Sequence, residues 1–118
     1  SNIEITVKHL FIVFIIFFIP IQANAAEILQ INSSNNILVG DQNRNLSIQL
    51  NCINVDKINE NNAINLLKKE FPRGNKVKIK PIRFKENILI AKVFNIDETK
   101  EMSNLLIKKG FAEENCQD

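Results

Sequence analysis

The stretch from Ile28 to Lys57, ILQINSSNNILVGDQNRNLSIQLNCINVDK, constrains the fold more than any other part of the chain. Between Leu46 and Ile53, the apolar residues Leu46, Ile48 and Leu50 alternate with Ser47, Gln49 and Asn51, the period of a strand buried on one face. Ile28 to Ile31 alternates more weakly and Ile37 to Val39 is a short apolar run. Asn32 to Asn36 is a turn cluster. Gly40 to Asn43 supplies residues that tolerate a positive φ and therefore a hairpin turn. Three strands joined by two polar turns make a meander.

The remainder of the chain alternates between the two periodicities. Asn59 and Glu60 open a helix that runs to about Phe71, with Ala63, Ile64, Leu67 and Phe71 at helical spacing and Pro72-Arg73-Gly74 as its stop. Lys76 to Lys80 alternates as a fourth strand, expected to end at Pro81. Asn87 to Phe94 is almost continuously apolar and should be the most buried strand. A second helix, capped by Asp97, places Met102, Leu105, Leu106 and Lys109 on one face and ends at Gly110. The order βββ-α-ββ-α predicts a mainly β chain with two helices (α+β). Its architecture is expected to be a five-stranded Greek-key barrel of the OB type, built as one domain.

The first 25 residues read as a leader. Lys8 and His9 precede the uncharged run Leu10 to Ile19, Pro20 breaks it, and Ala23-Asn24-Ala25 has the small-residue spacing of a signal peptidase site. The alternative is a retained anchor, but the run is well short of the ~20 residues that span a bilayer. The expected product is an exported domain starting at Ala26, with no membrane span, in the periplasm, the thylakoid lumen or the extracellular space. Of the 118 residues, about 93 then remain. A domain of that size buries roughly 60–70% of its unfolded surface and gains from a crosslink. Cys52 and Cys116 are the two cysteines. In an oxidising compartment they are expected to form a disulfide; the alternative is a buried Cys52 and a free thiol in the tail.

The single histidine lies in the leader, and the chain has no Tyr or Trp. Histidine-dependent nucleophilic chemistry is thereby excluded from the mature domain, and zinc is disfavoured.

With these elements placed, residues 28–112 resemble the staphylococcal-nuclease (thermonuclease-like) family, and more narrowly the short secreted nuclease-like proteins of marine cyanobacteria. The most specific match is Met102-Ser-Asn-Leu-Leu-Ile-Lys-Lys-Gly-Phe-Ala112, where the family reads like M-N-x-x-L-V-x-x-G-x-A. The resemblance implies phosphodiester hydrolysis with Ca²⁺ held by two aspartates and a nearby glutamate, and two arginines on the phosphate. Hard oxygen ligands suit the cation, and fixed positive charge suits the transition state. This sequence departs at every one of those positions. The first-hairpin motif D-G-D-T falls on Ser33 to Asn36, so Asn35 replaces the metal-binding aspartate. The motif R-L-x-x-x-D-x-x-E starts at Gln49-Leu50, so Gln49, Asn54 and Lys57 replace its arginine, aspartate and glutamate. The motif Y-G-R falls on Glu86 to Ile88, so Ile88 replaces the second arginine. Asp56 is two residues beyond Asn54, about 6–7 Å along a strand, too far to serve as the same ligand. Arg44, Arg83 and Lys85 could present charge, but none stands at a matched position.

Three functions follow as expectations. The first is a catalytically degenerate domain that binds a protein partner, expected as a monomer without cofactor. The second is a Ca²⁺-dependent nuclease with a non-standard site. The third is a binder of nucleic acid or anionic surfaces through Lys68 to Lys85, where Arg73, Lys76, Lys78, Lys80, Arg83 and Lys85 cluster. The clustering is local: removing Lys8 and Glu4 from the 15 basic and 13 acidic side chains leaves 14 and 12. Alternating lysines also suit a solvated edge strand guarded against aggregation. Among the phenylalanines, Phe71, Phe94 and Phe111 read as core and Phe84 as the exposed ring.

Overall fold

The computed structural model describes residues 25–116; residues 1–24, which carry most of the expected leader, lie outside the described residues. The chain runs β1 (Ala26–Ile31), β2 (Asn36–Asp41), β3 (Arg44–Leu50) and β4 (Ile53–Asn54), then a 3-10 turn (Lys57–Asn59) and α1 (Glu60–Glu70). β5 (Lys76–Lys85), β6 (Ile88–Asn95), α2 (Met102–Lys108) and β7 (Glu113–Glu114) follow. Five strands close a barrel in the order β1-β2-β3-β6-β5, with β5 returning to β1. The neighbours are antiparallel except β3 and β6, which run parallel. The described residues are mainly β, with a closed five-stranded barrel and two α-helices, consistent with an OB-like α+β fold.

The meander folds as its alternation predicts, with Gln42 and Asn43 at φ 49° and 67° in the tight turn between β2 and β3. Inward-facing Ile28, Ile37, Ile48, Leu50, Val77 and Val93 fill the barrel and are essentially fully buried. Leu67 from α1 and Met102 and Leu106 from α2 complete that core, along with Phe71 just past α1. Gly110, at φ 80°, ends α2: its N–H donates to Ile107 and the Phe111 N–H to Leu106, both at 3.0 Å. These two bonds satisfy carbonyls that the helix end would otherwise orphan.

Four sequence expectations are corrected. The third strand stops at Leu50 rather than Ile53, because Cys52 adopts φ 59° and turns the chain. Ile53 and Asn54 form a separate strand that pairs with Glu114 and Glu113. An alternating pattern specifies faces and is blind to which strand becomes the partner. The strand from Lys76 continues through Pro81 to Lys85, with a register shift between Pro81 and Arg83. Proline is tolerated at bulges and on edges, and Pro81 has both, since β1 covers β5 only at Lys76 and Val77. Asp97 does not cap the second helix. It folds a local turn, accepting from the Thr99 hydroxyl at 2.8 Å, while the buried Glu101 carboxylate caps α2 by accepting from Ser103 N–H (2.6 Å) and Asn104 N–H (3.2 Å). Phe94, finally, is outside the core: it lies on the outer face with the Lys80 ammonium 4.7 Å from its ring centre.

Two ties join the meander to the rest of the chain. Ser34, buried in the β1–β2 turn, donates its N–H (2.8 Å) and its hydroxyl (2.6 Å) to the Glu60 carboxylate at the start of α1. Cys52 and Cys116 form a disulfide, with their Cα atoms 4.2 Å apart, and Asn115 N–H donates to Cys52 C=O beside it.

Replacing Glu60 by Ala leaves the buried Ser34 donors unpaired and should cost about 1–3 kcal/mol, read as a lower urea midpoint. The unreduced protein should show a mass two hydrogen atoms below the dithiol. Cys52→Ser should lower stability by about 4 kcal/mol on the chain-entropy account of a loop this long.

Candidate functional site

The strand-to-strand register decides which side chains share the outer face beyond β3. Gln49 stands beside Ile90 in the parallel β3–β6 pair, and Ile90 stands opposite Arg83 in β5. Neighbouring strands lie about 4.8 Å apart, so the Gln49 and Arg83 backbones flank Ile90 across roughly 10 Å. The chain leaves β3 through Asn51 and the turn at Cys52, re-enters as β4 with Asn54, and is covered from outside by Asn115 and Cys116. A cleft of about 370 Å³ opens between these segments, lined by Gln49, Asn51, Asn54, Ile82, Arg83 and Asn115 among others.

The positions that the resemblance assigns to catalysis are only partly gathered here. Gln49 and Asn54 line the cleft. Asn35 sits in the adjacent β1–β2 turn, where its carbonyl accepts from Leu50 N–H (2.8 Å) and its side-chain oxygen accepts from the Ser33 hydroxyl (3.1 Å). Lys57 opens the exposed 3-10 turn. Ile88 begins β6 opposite Lys85, two residues before the residue that neighbours Gln49. Arg83 is the residue that sequence reasoning placed elsewhere. The sequence groups it with the basic cluster of Lys68 to Lys85, beyond a strand expected to end at Pro81, but the strand continues and the register shift after Pro81 turns Arg83 into the cleft. The one sequence signal for that shift is Pro81 itself.

Among the described residues the cleft's lining is amides, aliphatic carbons, the Cys52–Cys116 disulfide and one guanidinium, with no carboxylate. Ca²⁺ takes six to eight oxygen ligands, largely carboxylate in strong sites. Among the described residues no group of three or more His, Cys, Asp or Glu is placed to hold a metal ion. Asp56 is exposed, and its side chain makes no bond to the 3-10 turn that it precedes.

The basic stripe is much less positive than its sequence. Lys76 pairs with Glu27 at 3.5 Å, while Lys78 (3.4 Å) and Lys80 (2.6 Å) both pair with Glu98. The Lys80 hydrogen bond, followed by its charge, holds the Glu98 carboxyl below its ordinary value of 4.5. A depressed carboxyl keeps its pairing above that ordinary value and loses it as pH falls through the lowered one. Arg73, Lys85 and Lys92 have no carboxylate within ion-pair distance among the described residues. At the far end of β5, Ile82 and Phe84 are 47% and 69% exposed, which bears out Phe84 as the solvent-facing ring.

No family model matches the chain, and no curated protein matches it. Among the described residues no helix is long and apolar enough to cross a membrane.

Glu98→Gln should uncover Lys78 and Lys80 and tighten binding to a sulfated polysaccharide column at neutral pH. The dependence of log K on log salt should steepen by about 1–2. In the unmodified protein the same gain should appear only as pH falls through the lowered value of the Glu98 carboxyl.

Proposed function

We propose that the chain is an exported, catalytically degenerate domain of the staphylococcal-nuclease-like kind, with Greek-key OB connectivity, that acts by binding rather than by hydrolysis. The observation that carries this reading is the composition of the cleft beyond β3. The resemblance assigns a cationic and an anionic group to Gln49 and Asn54, and neutral amides stand there instead. An amide supplies a carbonyl oxygen but no charge to draw a divalent cation out of water, and no carboxylate among the described residues lines the cleft to compensate. Arg83 can meet a phosphate oxygen, yet one guanidinium without an activated water provides affinity and not bond cleavage. The Cys52–Cys116 disulfide supports export, since such crosslinks persist in oxidising compartments.

A second reading, binding of an anionic surface through the basic region, is favoured by one observation. The charge on β5 is neutralised at the Lys76–Lys80 end and left uncovered at Lys85, where the exposed Phe84 lies beside it. The surface available to an anion is therefore the end of this strand rather than its whole length.

Incubating the purified domain with DNA and RNA should give no degradation that depends on added Ca²⁺. Degradation that appears with Ca²⁺ and vanishes with chelator would establish the nuclease alternative and overturn the first reading. On the same sample, oligonucleotide or polysaccharide affinity should fall with salt at a log–log slope of about −2 to −3, set by the few uncovered cations. A salt-independent interaction would remove the second reading.

A further inference from the structure

We propose that the tail from Glu113 to Cys116 is a redox-operated strap over the cleft beyond β3, closed while Cys52 and Cys116 are joined and opened by a dithiol reductant. The inference rests on the first reading above, in which this cleft binds, and it names how access to the cleft is controlled. Both half-cystines and Asn115 line the cleft. Ile90 lines it too and is 3% exposed, yet it lies apart from the barrel core. Its neighbours Leu89 and Ala91 belong to that core, so by strand alternation Ile90 points out of the barrel. An outward apolar side chain stays dry here because Cys52, Ile53, Ile82 and Cys116 line the same cleft around it.

The strap depends on its sulfur bond. Glu113 to Cys116 are all exposed, and Phe111 and Ala112 are the last residues packed against the core. β7 pairs with β4 through Ile53 with Glu114 and Asn54 with Glu113, and Asn115 N–H donates to Cys52 C=O at 2.9 Å. A backbone hydrogen bond contributes about 0.5–1.5 kcal/mol net, while fixing one residue of backbone costs about 1–2 kcal/mol. Pairing this short does not hold four exposed residues by itself. A crosslink serving as a brace would join two segments of the core, whereas this one joins the exit of β3 to exposed residues. The stability it adds acts by constraining the unfolded chain, not through contacts of the folded barrel.

Cys116 is exposed and Cys52 half-buried, so the Cys116 Sγ is the sulfur open to attack, and exposed disulfides are the readily reduced ones. One thiolate of the reductant bonds to Cys116 Sγ and displaces Cys52 as a thiolate. The reductant's second thiolate then attacks its own sulfur in the mixed disulfide and releases Cys116. Two electrons and two protons pass to the protein, and the reductant leaves as a cyclic disulfide.

The test uses the full protein, labelled at its isoleucine methyls, before and after dithiothreitol. A soluble paramagnetic agent should relax the Ile90 methyl severalfold faster in the reduced form, with the fully buried Ile48 unchanged. Exchange of the Asn115 amide should accelerate by roughly tenfold or more. The protein carrying both Cys52→Ser and Cys116→Ser should show the open signals without reductant and respond to it no further. Where that variant does not fold, the reduced unmodified protein decides alone. An Ile90 methyl that stays protected after complete reduction overturns the proposal. Loss of the far-UV circular dichroism on reduction overturns it too, because the crosslink is then a brace. Resistance to dithiothreitol until denaturant unfolds the barrel does the same. Adding DNA or RNA with Ca²⁺ to both redox forms separates this inference from the reading beneath it. Ca²⁺-dependent degradation by the open form overturns the degenerate reading, while the methyl and amide signals still decide the strap.

Discussion

Closure of the barrel hangs on a short seam. β1 and β5 are paired through Ala26 with Val77 and Glu27 with Lys76, and no further along. The seam is continued by two backbone bonds from the exit of α1, Gly74 N–H to Ile28 C=O at 2.7 Å and Ile28 N–H to Asn75 C=O at 2.9 Å. Gly74 makes the first bond from φ 90°, in the left-handed region that favours glycine. The same segment that ends the helix therefore sews the sheet shut. Without it, β1 and β5 are edges, and the row of Ile28, Ile37, Ile48 and Val77 faces water instead of itself. The Lys76–Glu27 ion pair lies on this seam but is exposed on both sides, and such a pair adds little beside the backbone bonds.

The sequence makes the barrel readable because the barrel is built from local signals. Alternation marks the faces of β1 to β3, the polar clusters mark the turns, and Gly110 marks the end of α2. What fails to show is set by partners far away in the chain. The end of β3 depends on β4 turning to meet Glu113 and Glu114, which alternation around Leu50 does not encode. The true length of β5 depends on the bare edge beside Pro81, which a local rule about proline misjudges. By residue type Asp97 is the favoured cap and Glu101 is not. The choice falls to Glu101 because Asn95 and Asp97 close a tight turn around Thr99 and Lys100 before the helix can begin.

The candidate site divides along the same line. Asn35, Gln49, Asn54, Lys57 and Ile88 can be named from motif positions, but their spatial grouping comes from register. The cleft takes Gln49 and Asn54, leaves Lys57 on an exposed turn, and recruits Arg83 through a one-residue slip in β5. The lysines show the opposite lesson. Their count predicts a strongly positive face, whereas Glu98, remote in sequence and held at φ 58° in the turn after β6, reaches back to quench two of them.

The disulfide has a consequence in time as well as in space. Cys116 follows every strand of the barrel in the chain, so Cys52 has no cysteine partner within the chain until all five barrel strands have been made. Until Cys116 is available the barrel strands rest on non-covalent contacts, hydrophobic burial and the β1–β5 seam among them. In this order the crosslink selects finished molecules: a chain that stalls before its tail arrives keeps a thiol at Cys52, a chemical mark by which an incomplete copy differs from a complete one.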